Sequence, residues 1–158
     1  MIINENLYSG DDIYVPPNNI KYQFLPVNFD INFNPGESYT LSCTVDVSIG
    51  NTCELKIFNG DYSEELFSKQ FTAGKRDYLT FKFSDNAKYR FAFYAGNAGK
   101  TNNIKAYYKK VKIEKGDKMT IYLPHKSKVK AEYQAIFPIG GGTQKSIRHK
   151  AYKGVGLC

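Results

Sequence analysis

The chain has 158 residues, 42% of them hydrophobic, and a net charge of +7. This length suits one domain, which buries roughly two-thirds of its unfolded surface and so needs no metal or disulfide to be stable. The charge is divided, because residues 1–99 carry a net −4 and residues 100–158 a net +11. No stretch is long and apolar enough to span a bilayer, which argues against membrane insertion.

Composition and local alternation predict an all-β protein. The 13 Tyr and 11 Phe, with no Trp, favour pleated sheet over helix. Residues 1–19, with Pro16 and Pro17 near their end, are predicted to form an N-terminal arm laid over the domain. Two alternating stretches follow at 20–24 and 29–33, and Pro26 between them is tolerated only at a sheet edge or a bulge.

The most regular alternation runs from Tyr39 to Ile49 and predicts a half-buried strand. We expect residues 50–52 to turn it into a hairpin with the next strand, which begins at Cys53. In such a hairpin Cys43 and Cys53 would lie about 20 Å apart at about 3.3 Å per residue, too far for a disulfide. The sequence therefore predicts free thiols, as in a reducing cytoplasm.

Further short strands are predicted to complete an antiparallel β-sandwich. A weak strand lies within 62–71, and two clear ones at 79–83 and 89–93 are joined by a tight connection at 85–87. A loop at 96–103 leads into a last strand at 104–113. Short strands at this spacing indicate a sandwich. The residues expected in its core are Leu41, Val45, Leu55, Phe81, Phe91 and Val111.

The last strand carries the most informative motif of the chain. Alternation places Tyr107, Val111 and Ile113 on one side and Tyr108 on the other, and Gly116-Asp117 then forms a turn. The residues from Lys112 to Pro124 read K-I-E-K-G-D-K-M-T-I-Y-L-P. This run resembles the close of the carbohydrate-binding-module-like, or galactose-binding-like, jelly rolls of bacteriophage tail and fibre proteins. Asn6-Leu7 resembles their opening, although Met119 and Tyr122 stand where Ala and Trp are frequent.

The resemblance implies a jelly roll and a virion structural protein of the tail, baseplate or fibre, assembled in the host cytoplasm. A head-associated auxiliary or fibre protein is the second location. Because that family includes sugar-binding modules, a host surface glycan is an alternative partner. Aromatic faces and amides would recognise it. The candidate glycan- or partner-binding residues are Tyr94, Asn97, Asn102, Asn103, Tyr107 and Tyr108.

Catalysis, cofactor binding and nucleic-acid binding find less support. The two histidines lie in no metal or nucleophile motif, and Glu64-Glu65 would point to opposite faces of a strand. The glycine run at 140–142 fails the phosphate-loop pattern at Phe137 and Gln144. We therefore expect no enzyme activity, no cofactor and no metal. Nucleic-acid binding by a lysine-rich face is a weaker hypothesis than a charged sheet edge that prevents unwanted strand pairing. The lysines of such a face would be Lys105, Lys109, Lys110, Lys112, Lys126, Lys128 and Lys130.

The domain organisation expected is an arm at 1–19, a jelly-roll sandwich at 20–133 and a basic, glycine-containing arm at 134–158. The C-terminal arm has too few apolar residues to form a core, so we expect a neighbouring subunit to order it. Its predicted partners are copies of the same chain and other virion proteins. The residues expected to anchor it are Lys145, Arg148, Lys150, Lys153 and Leu157.

Overall fold

A computed structural model describes residues 3–129 and shows an eight-stranded β-sandwich. The strands are β1 (Ile13–Val15), β2 (Phe24–Val27), β3 (Ser38–Val47), β4 (Thr52–Asn59), β5 (Glu65–Thr72), β6 (Asp77–Lys82), β7 (Tyr89–Tyr94) and β8 (Ala106–Lys115). A short 3₁₀ turn follows at Lys126–Lys128. No α-helix is present among the described residues.

The strands form two four-stranded sheets with jelly-roll connectivity. The first sheet has the order β1-β8-β3-β6 and the second β2-β7-β4-β5, and every pair is antiparallel. Chain neighbours therefore lie mostly in opposite sheets, as in an eight-stranded jelly roll. The all-β sandwich and the jelly roll expected from the resemblance are both confirmed.

This connectivity corrects one hairpin predicted from the sequence. Residues 50–52 do not close a hairpin, because β3 belongs to the first sheet and β4 to the second. The connection at 85–87 likewise crosses between sheets, from β6 to β7. The estimated distance between Cys43 and Cys53 assumed that hairpin, so the estimate does not hold. Both thiols are nevertheless free and buried, as expected. Local turn residues favour a bend but cannot select the sheet that the next strand joins.

The inward side chains of both sheets form one continuous core. All six predicted core residues are at most 4% exposed. Aromatic rings fill one end, where Phe33 contacts Tyr39, Phe81 and Phe91 at centroid distances of 4.9 to 5.9 Å. Pro26 lies in β2, an edge strand, as its missing N–H requires.

Part of the predicted N-terminal arm belongs to the sandwich itself. Ile13 and Val15 are buried, and their strand pairs with β8 at the edge of the first sheet. Ile3 is also buried. The predicted C-terminal arm, 134–158, lies outside the described residues.

A β-bulge in β8 reverses the predicted facing of its first half. The register with β3 shifts between Ser42 and Thr44, which pair with Lys112 and Lys109, so β8 carries one extra residue. Lys110 takes the left-handed backbone conformation there, with φ of 50°. As a result Tyr108 points into the core and Tyr107 outwards, the opposite of the strict alternation expected.

Candidate binding face

The motif residues of β8 form a buried polar network. Lys112 and Glu114 face away from the core, yet both side chains are fully buried, because the segment after β8 folds back over them. The Lys112 ammonium donates hydrogen bonds to Thr120 Oγ1 (2.8 Å) and to the Ile121 carbonyl (2.7 Å). The Thr120 hydroxyl and amide donate to Glu114. Burial lowers the pKa of Lys112, and the neighbouring Glu114 opposes that shift.

Asn6 joins the N-terminal segment to the backbone of β8 and of the segment that follows it. Its side-chain amide donates to the carbonyls of Val111 (3.1 Å) and Leu123 (3.0 Å), and its oxygen accepts from the backbone of Ile113 (3.0 Å) and Tyr8 (3.0 Å). The opening and closing residues of the motif thus bind each other. Their role in this chain is to close the fold, so a ligand site must be sought elsewhere.

The three predicted platform tyrosines lie in three separate environments. Tyr108 is fully buried, and its hydroxyl lies 3.0 and 2.8 Å from the carbonyl oxygens of Glu54 and Tyr94. Tyr107 is 39% exposed on the outer face of the first sheet, beside Tyr14. Tyr94 is 4% exposed on the outer side of the second sheet. They cannot form one shared surface, and burial raises the pKa of Tyr108 well above its usual value.

The predicted asparagines also separate. Asn97 reaches the second sheet, where its amide donates to Thr52 Oγ1 (3.0 Å) and its oxygen accepts from Gln70 (3.0 Å). Asn102 and Asn103 are exposed and hold the segment before β2: Asn102 donates to Asn19, and the Asn103 amide to the carbonyl of Asn18. Of the amides proposed from sequence, only Asn97 lies beside an open groove.

Three lysines of the nucleic-acid alternative, which the sequence supports less than a charged strand edge, are engaged within the fold. Lys112 is buried, Lys109 pairs with Asp46 at 2.5 Å, and Lys128 pairs with Asp11 at 2.7 Å. Lys130 and the predicted anchoring residues, Lys145, Arg148, Lys150, Lys153 and Leu157, lie outside the described residues.

The outer face of the second sheet carries an aromatic patch, of which only Tyr94 is among the candidate residues proposed from the sequence. Phe24 pairs across the strands with Tyr94, and their ring centroids are 5.2 Å apart. Tyr62 lies 6.0 Å from Phe24 and 5.6 Å from Phe58, with the Arg90 guanidinium 5.8 Å from its ring centre. We call these five residues the aromatic patch. Burial, followed by the charge of Glu54, raises the pKa of Tyr94 to about 12.

The loop at 59–64 fixes Tyr62 on this face. Tyr62 has φ of 62°, a left-handed conformation that is uncommon for an aromatic residue and costs energy. Asn59 holds the loop through bonds to Ser63 (2.7 Å) and the Glu64 amide (2.9 Å), and Arg90 Nε donates to the Gly60 carbonyl (3.0 Å). Tyr62 is still 40% exposed, so the loop presents a fixed ring to solvent.

A polar groove lies on the same sheet beside the patch. It encloses about 640 Å³ and is lined by Glu54, Ser68, Lys69, Gln70, Asn97, Ala98 and Lys100. Its polar side chains are held in place, because Glu54 accepts from the Ala98 amide at 2.9 Å and Gln70 donates to Asn97. We call this set the polar groove. Amides and a carboxylate at fixed positions can donate to and accept from hydroxyl groups.

One signal in the sequence could have indicated this face. Glu54, Lys56 and Phe58 alternate with the buried Leu55 and Ile57, which marks the outward side of β4. The placement of Tyr62 had no such signal, because it depends on a left-handed loop residue that folds back over the sheet.

The described residues hold no cluster of His, Cys, Asp or Glu suited to a metal ion. Within residues 3–129, no helix is long and apolar enough to cross a membrane.

No protein-family model matches the chain, and no curated protein matches it. Among solved structures, a CBM4 structure is 16% identical with a TM-score of 0.46, over 66% of this chain and 71% of that one. The N-terminal cellulose-binding domain of Cellulomonas fimi β-1,4-glucanase C is 14% identical with a TM-score of 0.44, over 68% and 79%. The tripod from the baseplate of bacteriophage Tuc2009 is 16% identical with a TM-score of 0.46, over 81% and 61%. The jelly-roll assignment rests on the strand order described above.

Proposed function

We propose that the chain is a non-enzymatic structural protein of a bacteriophage virion, in the tail, baseplate or fibre, with the jelly roll as a rigid module. The observation that carries this proposal is the buried network around Lys112, Glu114 and Asn6. These residues carry the resemblance to phage tail and fibre jelly rolls. Lys112 pairs with Glu114, and Asn6 binds the backbone of Ile113, which lies between them. The resemblance therefore involves an interacting set of residues.

The proposal includes an anchoring role for residues 134–158. This segment has basic residues and few apolar ones, so Lys145, Arg148, Lys150 and Lys153 would contact an acidic surface and Leu157 an apolar one. The partners are other copies of the chain or other virion proteins. Repeated copies would turn weak single contacts into stable attachment.

Particle incorporation tests this proposal. A tagged chain should be found at discrete positions on purified particles by immunogold electron microscopy. A truncation after Phe137 should fold, with the melting temperature of the full chain, but should not enter particles. A chain absent from purified particles would contradict the virion role. Normal incorporation of the truncation would contradict only the anchoring role.

A second candidate function is glycan recognition by the outer face of the second sheet. The specific observation is the exposed Tyr62 ring, held in a strained loop beside the polar groove. A rigid aromatic ring packs against the apolar side of a sugar, and nearby amides bind its hydroxyls. Strained backbone is typical of binding sites, where the surrounding structure stabilises it.

Glycan-array binding of the purified chain tests the second candidate. Tyr62→Ala and Gln70→Ala should each weaken binding about tenfold if the patch and the groove contact the same glycan. Tyr107→Ala, on the opposite sheet, is the matched control and should bind as the wild type does. Equal losses in all three variants, or no glycan bound by the wild type, would remove this candidate.

A further inference from the structure

The two ends of the sandwich are built from different connections between strands. In the described part of the chain, the end where β3 stops and β4 starts is formed by residues 16–23, 48–51, 73–76 and 95–105. Backbone hydrogen bonds from Ser48 to Lys105 and from Ala73 to Asn51 join these connections. The opposite end is formed by residues 28–37, 60–64, 83–88 and 116–118.

The connections of the first of these ends contain basic residues but no carboxylate. Its four lysines are exposed, and none is in an ion pair with another residue of 3–129: Lys21, Lys75, Lys100 and Lys105. Arg76 is held on the outer face of the first sheet by its hydrogen bonds. Asp46 and Asp77, at the adjoining strand ends, are each already paired with a lysine. We call this end the basic end.

Apolar side chains project from the same connections. Tyr22, Ile49 and Ile20 are 59%, 56% and 46% exposed, and they are three of the four most exposed large hydrophobic side chains among residues 3–129. Neither end of the described chain covers them, because Asn4 binds the Lys115 carbonyl at the opposite end and residues 125–129 follow the first sheet beside β1. Apolar side chains grouped beside charged ones are typical of a contact surface.

The opposite end carries the carboxylates. Six of them are exposed there, and none is in an ion pair within the part of the chain that the structure describes: Asp30, Glu37, Asp61, Glu64, Asp85 and Asp117. This end also has cations, Lys88 and Lys118 in its connections and Lys82, Arg90 and Lys115 at the adjoining strand ends. Its charge is therefore mixed, but its carboxylates can accept a cation from another molecule. We call it the acidic end.

The acidic end is also concave. A cleft of about 730 Å³ lies between residues 28–35 and 83–91. Segment 28–34 crosses from the second sheet to the first without forming a strand, which leaves this space open. Phe29, Ile31 and Phe33 line the cleft and are only partly buried. The cleft thus offers a recessed, partly apolar surface of the kind on which projecting side chains pack.

We propose that copies of the chain bind end to end, with the basic end of one copy on the acidic end of the next. The lysines of the basic end contact the carboxylates, and Ile20, Tyr22 and Ile49 cover the cleft. Two basic ends do not pair, because that contact brings lysines together with no carboxylate to offset them. Since the two surfaces lie at opposite ends of the domain, the contact repeats from copy to copy. This goes beyond the proposed function, whose subunit contacts use residues 134–158.

Sedimentation velocity of the nuclease-treated full chain tests the proposal, over protein concentrations up to about 1 mM. The average sedimentation coefficient should rise with concentration in about 20 mM salt and much less in about 500 mM salt, which screens exposed charges. The variant Lys21→Gln/Lys100→Gln/Lys105→Gln should weaken self-association at least about tenfold. The control Lys109→Gln/Lys110→Gln/Lys128→Gln removes the same charge from the side of the sandwich and should associate as the wild type does.

A mixing experiment tests the direction of the contact. The variant Asp30→Asn/Glu64→Gln/Asp117→Asn alters the acidic end at exposed side chains that make no hydrogen bond within residues 3–129, so it should melt as the wild type does and be monomeric alone. Mixed with the basic-end triple variant, it should form a complex of two chains and nothing larger, because each variant keeps one working end.

The proposal is overturned if the wild type stays monomeric in low salt, or if the basic-end triple variant associates as the wild type does. Loss of association in Lys145→Gln/Arg148→Gln/Lys150→Gln, but not in the basic-end variant, would assign the contact to residues 134–158 instead. Association that disappears on nuclease treatment would assign the lysines to a polyanion and also overturn it.

Discussion

The two outer faces of the sandwich differ in what covers them. On the first sheet, the segment after β8 folds back over Lys112 and Glu114 and buries both side chains completely. On the second sheet, the polar groove stays open and Tyr62 projects from a fixed loop. Lys112 and Glu114 on the first face are thus enclosed, whereas the groove residues of the second face are hydrogen-bonded to their neighbours but remain open to solvent.

This difference shows how a sequence motif should be interpreted. The most recognisable residues of the chain are those that close the fold, because a buried charge tolerates few substitutions. The open face carries no comparable motif, because loops of several different conformations can place an aromatic ring, such as that of Tyr62, over a sheet. Substitutions on the two faces should therefore have opposite consequences, with stability lost on the first and binding lost on the second.

The largest effect is expected from Lys112→Ala on the covered face. This substitution leaves Glu114 buried without its cation, which costs about 3–5 kcal/mol in the free energy of unfolding. Urea denaturation measures this change. Lys115→Ala, at an exposed position of the same strand, should stay within about 0.5 kcal/mol of the wild type. A loss below about 1 kcal/mol for Lys112→Ala would contradict the covered-face interpretation.

A smaller loss is expected from Asn6→Ala, which removes one of the links between the N-terminal segment and β8; the Leu7 amide still donates to the Ile113 carbonyl. Its four hydrogen bonds are lost, and the buried backbone groups of Val111 and Ile113 lose a partner. The cost should be about 1–3 kcal/mol by urea denaturation. Asn102→Ala, which removes one exposed hydrogen bond, is the matched control. A similar loss of unfolding free energy in both variants would show that the burial of Asn6 does not cause its effect.

Alkaline pH should destabilise the chain partly through Tyr94 on the second sheet. Its pKa is raised to about 12 in the folded state from 10.0, so between these values the folded protein holds a proton that the unfolded chain releases. Stability is therefore retained below pH 10 and lost as the pH rises towards 12. In the Tyr94→Phe variant, the free energy of unfolding should fall less between pH 10 and 12 than it does in the wild type, when each protein is compared with its own value at pH 7. Parallel curves for the two proteins would show that Tyr94 does not contribute.

The smallest effect on stability is expected from Gln70→Ala in the polar groove. Its side chain makes one exposed hydrogen bond, to Asn97, so the free energy of unfolding should change by no more than about 0.5 kcal/mol. Thermal melting measures this. A loss as large as that of Asn6→Ala would show that the groove, too, serves to hold the fold together.

Most of the fold could be predicted from local pattern. Strands around Leu41, Leu55, Phe81 and Phe91 follow from alternation, and all these side chains are buried. One error arose where an extra residue interrupts the period; the hairpin predicted at 50–52 was wrong for another reason, because turn residues do not select the sheet that the next strand joins. The extra residue of the bulge near Lys110 reversed Tyr107 and Tyr108, and alternation alone carries no information on such an insertion.

Little of the candidate site could be predicted in this way. Asn97 lies beside an accessible groove, but Tyr94 and Tyr108 are buried. The prediction groups both tyrosines with the asparagine loop because they are close to it along the chain. In a jelly roll such neighbours diverge, because β7 and β8 lie in different sheets.

The sequence by itself determined most of the strands and the buried side of most of them, because these depend on neighbours within a few residues. Tertiary structure alone decided which strands pair, where Tyr62 lies and why Lys112 can be buried. Each of these depends on contacts between distant residues, as when Asn6 binds the backbone of Ile113, 107 positions later. Such contacts form only when the entropy lost in closing the long loop is offset by burial and hydrogen bonding, and a local pattern does not record that balance.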